Sequence, residues 1–408
     1  MLSDHYSKLP TPVEDVVFQL DGIAKAAPEP KANLVIGAYR DANGKPYPLR
    51  TVRKAEQRIL DMALDKEYLP IAGFQPFCDE SLKMLFAKDL PSRGTIASVH
   101  TLSGTGACRV GAEFFARTTN VSTTHVYLSN PTWANHGPIF ANSGFKNIKY
   151  YRYFDPKTNG VAIKEMLEDL QTAPEKSIVV LHQVAHNPTG ADPTPEEWER
   201  IAGVLKAKQH YVFFDSAYQG YASGSLDKDA FAARLFARKK FEFVVAQSYA
   251  KNMGLYNERV GCLSVITASE ASAKLVLGLL KNIIRPMYSN PPAHGARVAH
   301  LILTDPSLRA EWEAELKTMA DRIVSMRKML FDELVRLKTP GKWDHITKQI
   351  GMFSYLGLTK EQCQELHKRR VFIMLTGRAS IAGLTAASVK FVAQAIDEVV
   401  RMSSHSKL

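Results

Sequence analysis

An apolar run, Phe241–Gln247, leads into Ser248-Tyr-Ala-Lys251-Asn-Met-Gly-Leu-Tyr-Asn-Glu-Arg259-Val-Gly261. A lysine at the end of an apolar strand loses hydration, so its pKa falls and its amine can form a Schiff base with a carbonyl. Ser248 and Arg259 flank it, and both can hold a phosphate. Ser103-Gly-Thr-Gly-Ala107 precedes an expected helix, where hydroxyls and free backbone N–H groups make a phosphate cup at the positive helix end. Asp215 ends a second apolar run, Tyr211-Val-Phe-Phe-Asp215. An unpaired carboxylate there is costly, and a protonated pyridine nitrogen is the kind of partner it needs. Asn187 sits in the turn His186-Asn-Pro-Thr-Gly190, Tyr218 follows Asp215 closely, and Trp133 in Pro131-Thr-Trp-Ala-Asn-His136 offers a flat stacking surface. Schiff-base lysine, phosphate cup, carboxylate and aromatic plate are together what pyridoxal phosphate requires.

Other motifs fail on inspection. His182-Gln-Val-Ala-His186 has the two-histidine spacing of a zinc protease but lacks the glutamate, and it lies at a strand end before Asn-Pro. No metal site is expected. Gly104-Thr-Gly106 is not a dinucleotide fingerprint, because Arg109 stands at the third glycine position, and no phosphate-loop lysine follows. Tyr221-Ala-Ser223-Gly lacks the first glycine of a nucleophile elbow.

The elements that must position these residues are legible in outline. Ser177–Gln183 reads as a buried strand. Thr194 is a good N-cap, Pro195 suits the first helical position, and Glu196 and Glu197 suit the positive helix end. Trp198, Ile201, Ala202 and Leu205 follow at helical spacing, and Tyr211–Asp215 comes next. Strand, helix, strand in this order is a parallel unit with a right-handed crossover. From Pro306 the pattern changes. A long helix is expected from Ser307 to about Lys338, with Trp312, Leu316, Met319, Ile323, Met326 and Leu330 on one face. Short strands over 351–356 and 371–375 and a helix over 385–402 complete the chain. The fold class is α/β: a large domain with a mostly parallel central sheet flanked by helices, over 47–316, and a smaller α+β domain from 1–46 and 317–408 with an N-terminal arm.

The chain has 408 residues, 45% hydrophobic and 23% charged, which is ordinary globular composition. Four scattered cysteines exclude a disulfide scaffold and suit a reducing compartment. No stretch reaches the roughly 18 apolar residues of a membrane span, and the N-terminus shows neither an apolar signal core nor the arginines of a mitochondrial presequence. The formal charge of +11 is spread along the chain and accompanies no nucleic-acid-binding motif, so no nucleic-acid partner is expected. A positive field would instead attract anionic substrates.

The chain resembles the aspartate aminotransferase family of fold type I pyridoxal-phosphate enzymes. The resemblance runs through Ile36-Gly-Ala-Tyr-Arg40, Glu67-Tyr-Leu-Pro70, Ser103-Gly-Thr-Gly106, Pro131–His136, His186–Gly190, Phe214-Asp-Ser-Ala-Tyr-Gln-Gly220, Ser248–Gly261, Ser289-Asn-Pro-Pro292, Gly351-Met-Phe353 and Gly377-Arg378. It implies that Lys251 holds the cofactor and moves the proton, and that Asp215, oriented by His136, keeps the pyridinium protonated. It implies that Trp133 stacks on the ring and that Tyr218 and Asn187 hydrogen-bond its phenolic oxygen. Ser103, Gly104, Thr105, Ser248 and Arg259 would hold the phosphate, with Tyr68 from a neighbouring subunit and Ser289 reaching it as well. Arg378 would grip the substrate α-carboxylate and a partner's Arg285 its side-chain carboxylate. Ile36 and Gly37 would line the entrance and Phe353 the wall.

The implied reaction is ping-pong transamination of L-aspartate with 2-oxoglutarate in a homodimer with shared sites. The alternative is a broad-specificity enzyme that also takes aromatic amino acids, with Arg285 swung aside. Ser406-Lys-Leu408 has the form of a peroxisomal address read by an import receptor. A peroxisomal or glycosomal location is expected from it, shared in part with the cytoplasm.

Overall fold

The computed structural model describes residues 6–12 and 14–405. Seven strands form the main sheet: β1 (Ile96–Leu102), β2 (His125–Asn130), β3 (Asn147–Arg152), β4 (Ile178–His182), β5 (Tyr211–Ser216), β6 (Phe243–Ser248) and β7 (Val260–Ile266). Their spatial order is β1-β7-β6-β5-β4-β2-β3. β7 runs antiparallel to both its neighbours. The other pairings are parallel, so six strands point the same way.

Alternate side chains of each strand enter different cores. Ile178, Val180, Phe213, Val244 and Ala246 pack on one face. Val179, Leu181, Val212, Phe214 and Val245 pack on the other. Burial on both faces is why these strands read as unbroken apolar runs rather than as alternating ones. The edge strand β3 instead exposes Lys149, Tyr150 and Arg152, which discourages pairing with another chain.

Helix α1 (Ser103–Thr118) follows β1 without a linker. Its Gly111 lets the helix lie close on the sheet, since a Cβ there would stand 2.4 Å from the Phe213 ring. Helix α2 (Pro195–Ala207) starts at Thr194 as expected. Thr194 Oγ1 accepts from Glu197 N at 3.2 Å, and the Glu197 carboxylate accepts from Thr194 N at 2.8 Å, the reciprocal cap that a Thr-x-x-Glu spacing permits. Helix α3 (Glu270–Tyr288) lies after β7. Helix α4 (Pro306–Arg336) buries the six expected apolar residues along one stripe. Helix α5 (Ala386–His405) ends the described chain.

The N-terminal segment joins the C-terminal one. Ala32 and Asn33 pair in parallel with Val371 and Phe372. The two short strands expected over 351–356 and 371–375 shrink to Phe353–Tyr355 and Val371–Phe372. Gly351, at φ 78°, turns the chain just before Phe353. The Gln349 carboxamide oxygen then takes the Ser354 hydroxyl and the Tyr355 amide, at 2.6 and 3.0 Å, in place of longer strand pairing. No helix among the described residues is long and apolar enough to cross a membrane.

Candidate active site

Five of the six co-directional strands bring Leu102, Asn130, His182, Ser216 and Ser248 to one edge of the sheet. A ligand cleft is expected at such an edge of an open α/β sheet. A cleft of about 700 Å³, part of it open to solvent, lies there. Ser103, Gly104, Thr105, Trp133, Asn187, Asp215, Tyr218, Ser248, Lys251 and Arg259 all border it, as does Gly37 from the N-terminal segment. Ten of these eleven come from separate strand ends and the turns after them, which explains their scatter along the chain.

Asp215 is the most elaborately supported of them. His136 Nε2 lies 3.1 Å from its carboxylate. His136 Nδ1 and His182 Nε2 both meet the Thr132 hydroxyl, at 2.9 and 3.1 Å. His182 Nδ1 accepts from the Asn187 amide at 3.3 Å. Burial, with His186 and His136 as neighbours, pushes His182 well below the ordinary histidine range, so it is neutral. One proton arrangement then satisfies the chain: His182 Nε2–H donates to Thr132, Thr132 to His136 Nδ1, and His136 Nε2–H to Asp215. Burial alone would raise the Asp215 carboxyl. The His136 hydrogen bond and the further pull of His136, His182 and Lys251 outweigh burial and hold it below the usual carboxylate range. Asp215 is therefore an anion facing the cleft.

Lys251 stands across from it. Burial lowers the pKa of its amine, Asp215 opposes this and Arg259 reinforces it. The amine lies 5.2 Å from the Tyr218 ring centre. Burial, then the nearby Asp215, pushes the Tyr218 phenol up, so it keeps its proton and serves as a donor. Trp133 sets its ring edge-on to His136, with centroids 5.2 Å apart.

The cup forms where β1, β6 and β7 meet. Ser103 is the first residue of α1 and has φ 63°, so the glycine-rich segment is the helix's first turn rather than a loop before it. The Ser103 and Ser248 hydroxyls are 3.2 Å apart. A Cβ on Gly104 would stand 2.9 Å from Ser248 Cβ, and one on Gly261 2.5 Å from the Ser103 carbonyl carbon, so both positions require glycine. This cup, an anionic carboxylate, an amine with lowered pKa and a protonated phenol fit pyridoxal phosphate in chemical type. The site offers no comparable fit to a metal: Cys108, His136 and Asp215 converge, but burial pushes the Cys108 thiol far up, away from the thiolate a metal would bind.

The remaining predicted residues fall into two groups. Arg378 lies next to the cleft: its guanidinium carbon is 4.4 Å from the Phe353 ring centre, and one Nη donates to the Val35 carbonyl at 2.7 Å. Its Nε is buried with no hydrogen-bond partner among the described residues. Phe353 packs behind Gly37, where a Cβ would be 2.6 Å from its ring. Ile36 does not line this entrance; strand-like alternation turns it into a neighbouring cleft with Ala24 and Phe391. Tyr68, Arg285 and Ser289 do not border the cleft either. Tyr68 is 87% exposed. Arg285 is exposed near the end of α3 and donates to the Ser289 hydroxyl at 2.6 Å.

Five contributors escaped the sequence reading. Ala217 lines the cleft between Asp215 and Tyr218, and Ala250 lines it beside Lys251; their only signal was that position. Tyr256 lines it too, and its hydroxyl accepts from the Tyr39 amide at 3.0 Å. Thr132 and His182 stood in quoted motifs, but only the fold shows that they steer His136.

The family model "Aminotransferase class I and II" matches residues 29–396. The chain is 47% identical over 390 residues to the cytoplasmic aspartate aminotransferase of Gallus gallus, covering 94% of this chain and 93% of that one. It superposes on the broad specificity aminotransferase from Leishmania mexicana with a TM-score of 0.96 and 53% identity, covering 97% and 98% of the two chains. It superposes on an aromatic-amino-acid aminotransferase from Burkholderia pseudomallei, solved covalently bound to pyridoxal phosphate, with a TM-score of 0.94 and 39% identity, covering 97% and 99%.

Proposed function

Because this chain belongs to the aminotransferase class I and II family, we infer its reaction from the cleft: reversible transamination of L-aspartate with 2-oxoglutarate, giving oxaloacetate and L-glutamate. The enzyme uses pyridoxal phosphate. The observation that carries the reading is the convergence of Lys251, Asp215 and the Ser103–Thr105 cup in one cleft.

When bound, the cofactor supplies an electron sink for charge at the substrate α-carbon. The protein does the rest. Lys251 would carry the cofactor on its amine and, once free, would hold and move the substrate α-proton. Asp215, kept anionic through His136, would keep a proton on the ring nitrogen. Tyr218 and Asn187 would donate to the phenolic oxygen, and Trp133 would cover the ring. Ser103, Gly104, Thr105, Ser248 and Arg259 anchor the phosphate. Arg378, with its Nε unpartnered, takes the substrate α-carboxylate.

The exposed Tyr68 and Arg285, with the half-buried Ser289, suit a second copy of the chain better than this chain's own cleft. The proposal is a homodimer in which the partner's Arg285 reads the side-chain carboxylate and the partner's Tyr68 reaches the phosphate, with Ser289 beside them. Sedimentation that finds an active monomer would overturn it. The division into domains at 47–316 against 1–46 with 317–408 belongs to the same proposal, since closure of the smaller part over a dicarboxylate would exclude water.

Oxaloacetate formation from L-aspartate and 2-oxoglutarate by the loaded enzyme tests the reaction. No oxaloacetate would reject it. The likeness to the broad specificity relative favours a second reading, in which aromatic amino acids also react. Comparable rates with L-phenylalanine would establish that one. The further proposal of peroxisomal or glycosomal targeting rests on Ser406-Lys-Leu408, which lies outside the described residues. A tagged chain ending at Ser406 that kept its organellar location would remove it.

A further inference from the structure

The turn that carries Asn187 is held in an unusual way. Three successive amides, those of Ala185, His186 and Asn187, are all taken by side chains. Ala185 N donates to Asp192 Oδ2 at 2.6 Å, His186 N to Asp192 Oδ1 at 2.8 Å, and Asn187 N to His182 Nδ1 at 3.3 Å. Ala185 has φ 52°, a left-handed conformation that an alanine adopts only when its surroundings impose it. Its methyl packs tightly, since a Cβ on Gly351 would stand 2.4 Å from Ala185 Cβ. The next side chain, His186, is locked at both ring nitrogens by the Ser129 and Thr189 hydroxyls, each at 2.8 Å, and Tyr153 stacks on it at 3.9 Å.

We propose that Asp192 is a positioning residue for the reaction: by capturing the amides of Ala185 and His186 with its two oxygens, it fixes where Asn187 presents its side chain to the cofactor's phenolic oxygen. The inference rests on the pyridoxal-phosphate reading of the cleft. Asp192 itself does not border the cleft. It works through the backbone of the turn. Burial raises its carboxyl to about 6, against the opposing pull of the two amides. Ionised burial costs native stability, and a purely structural turn could use a neutral acceptor instead. An asparagine would fill the same space but offer one acceptor oxygen, leaving one of the two amides without a partner.

The test is an absorption titration of the holoenzyme. The cofactor's visible band switches at the pKa of the Lys251-linked chromophore, and donors to the phenolic oxygen lower that pKa. Asp192→Asn is expected to raise it by about one unit, the worth of one hydrogen bond to a charged group. Asn187→Ala is expected to raise it similarly, and the double variant no further than Asn187→Ala alone. An unchanged chromophore pKa in Asp192→Asn, with only a lowered melting temperature, would overturn the proposal. So would additive shifts in the double variant, because Asp192 would then act by another route. If Asp192→Asn does not fold, Ala185→Gly, which accepts the left-handed conformation, provides the background. Asp192→Asn is then added to it and read the same way. A wild-type protein with no visible band after cofactor loading would overturn the cleft reading and the proposal with it. A band whose pKa ignores Asp192 would sink the proposal alone.

Discussion

Asp215 and Arg285 are both charged side chains assigned to one reaction, yet their surroundings are opposite. Asp215 is nearly buried at the end of a central strand, and His136, Thr132 and His182 form a chain of hydrogen bonds behind it. Arg285 is exposed near the end of a surface helix, where it donates to the Ser289 hydroxyl. The same contrast separates the floor of the cleft from its rim. The floor is preorganised within one chain by the sheet, so its charges are fixed before a ligand arrives. The rim residues Tyr68, Arg285 and Ser289 stay outside the cleft of their own chain, and the proposed homodimer is what would give them a role. On that proposal the floor sets which chemistry is possible, and the rim sets which substrate is chosen.

Breaking the floor should therefore cost the most. Lys251→Ala is expected to lower kcat at least about 10⁴-fold, because both the cofactor link and the proton shuttle are lost. Single-turnover kinetics with L-aspartate would measure this. Asp215→Ala should cost about 10²–10³-fold in kcat, the usual loss when a preorganised charge is removed. Arg378→Ala should lower kcat/KM for L-aspartate and L-phenylalanine alike, on the order of 10²-fold, since both present an α-carboxylate.

The rim should respond selectively. Arg285→Ala is expected to lower kcat/KM for L-aspartate by about 10–10²-fold and leave L-phenylalanine nearly unchanged. Equal losses for both amino acids would erase the distinction between floor and rim. The smallest effect concerns stability. Because its partners hold the Asp215 carboxyl below its unfolded value, its contribution is present above that value and is lost as pH falls through the folded pKa. The apoprotein's resistance to urea should thus fall on acidification below the ordinary aspartate range, and less so in Asp215→Asn.

Much of the floor was legible in the sequence because a β-strand end is a local feature. Apolar runs that stop at Asp215 and Ser248 announce both the strand and the exposed edge where chemistry can sit. The Ser103–Gly106 segment announces the cup, although Ser103 proved to be the helix's first residue. Less legible were relations between distant segments. His182 ends β4 and Thr132 lies in the turn after β2, and their meeting with His136 depends on β2, β4 and β5 lying side by side. Asp192 lies in the Pro-containing link before α2, and its grip on two backbone amides has no side-chain pattern to betray it. Ile36 was misplaced because adjacent residues of an extended segment face opposite ways. Only Gly37 faces the cleft.

The most direct measurement of the central claim is the absorption spectrum of the purified, cofactor-loaded protein before and after L-aspartate is added without any oxo acid. The account predicts a visible band that converts to the amine form of the cofactor, with one oxaloacetate released per site, and no conversion in Lys251→Ala. No band, or a band that L-aspartate leaves unchanged, would contradict it.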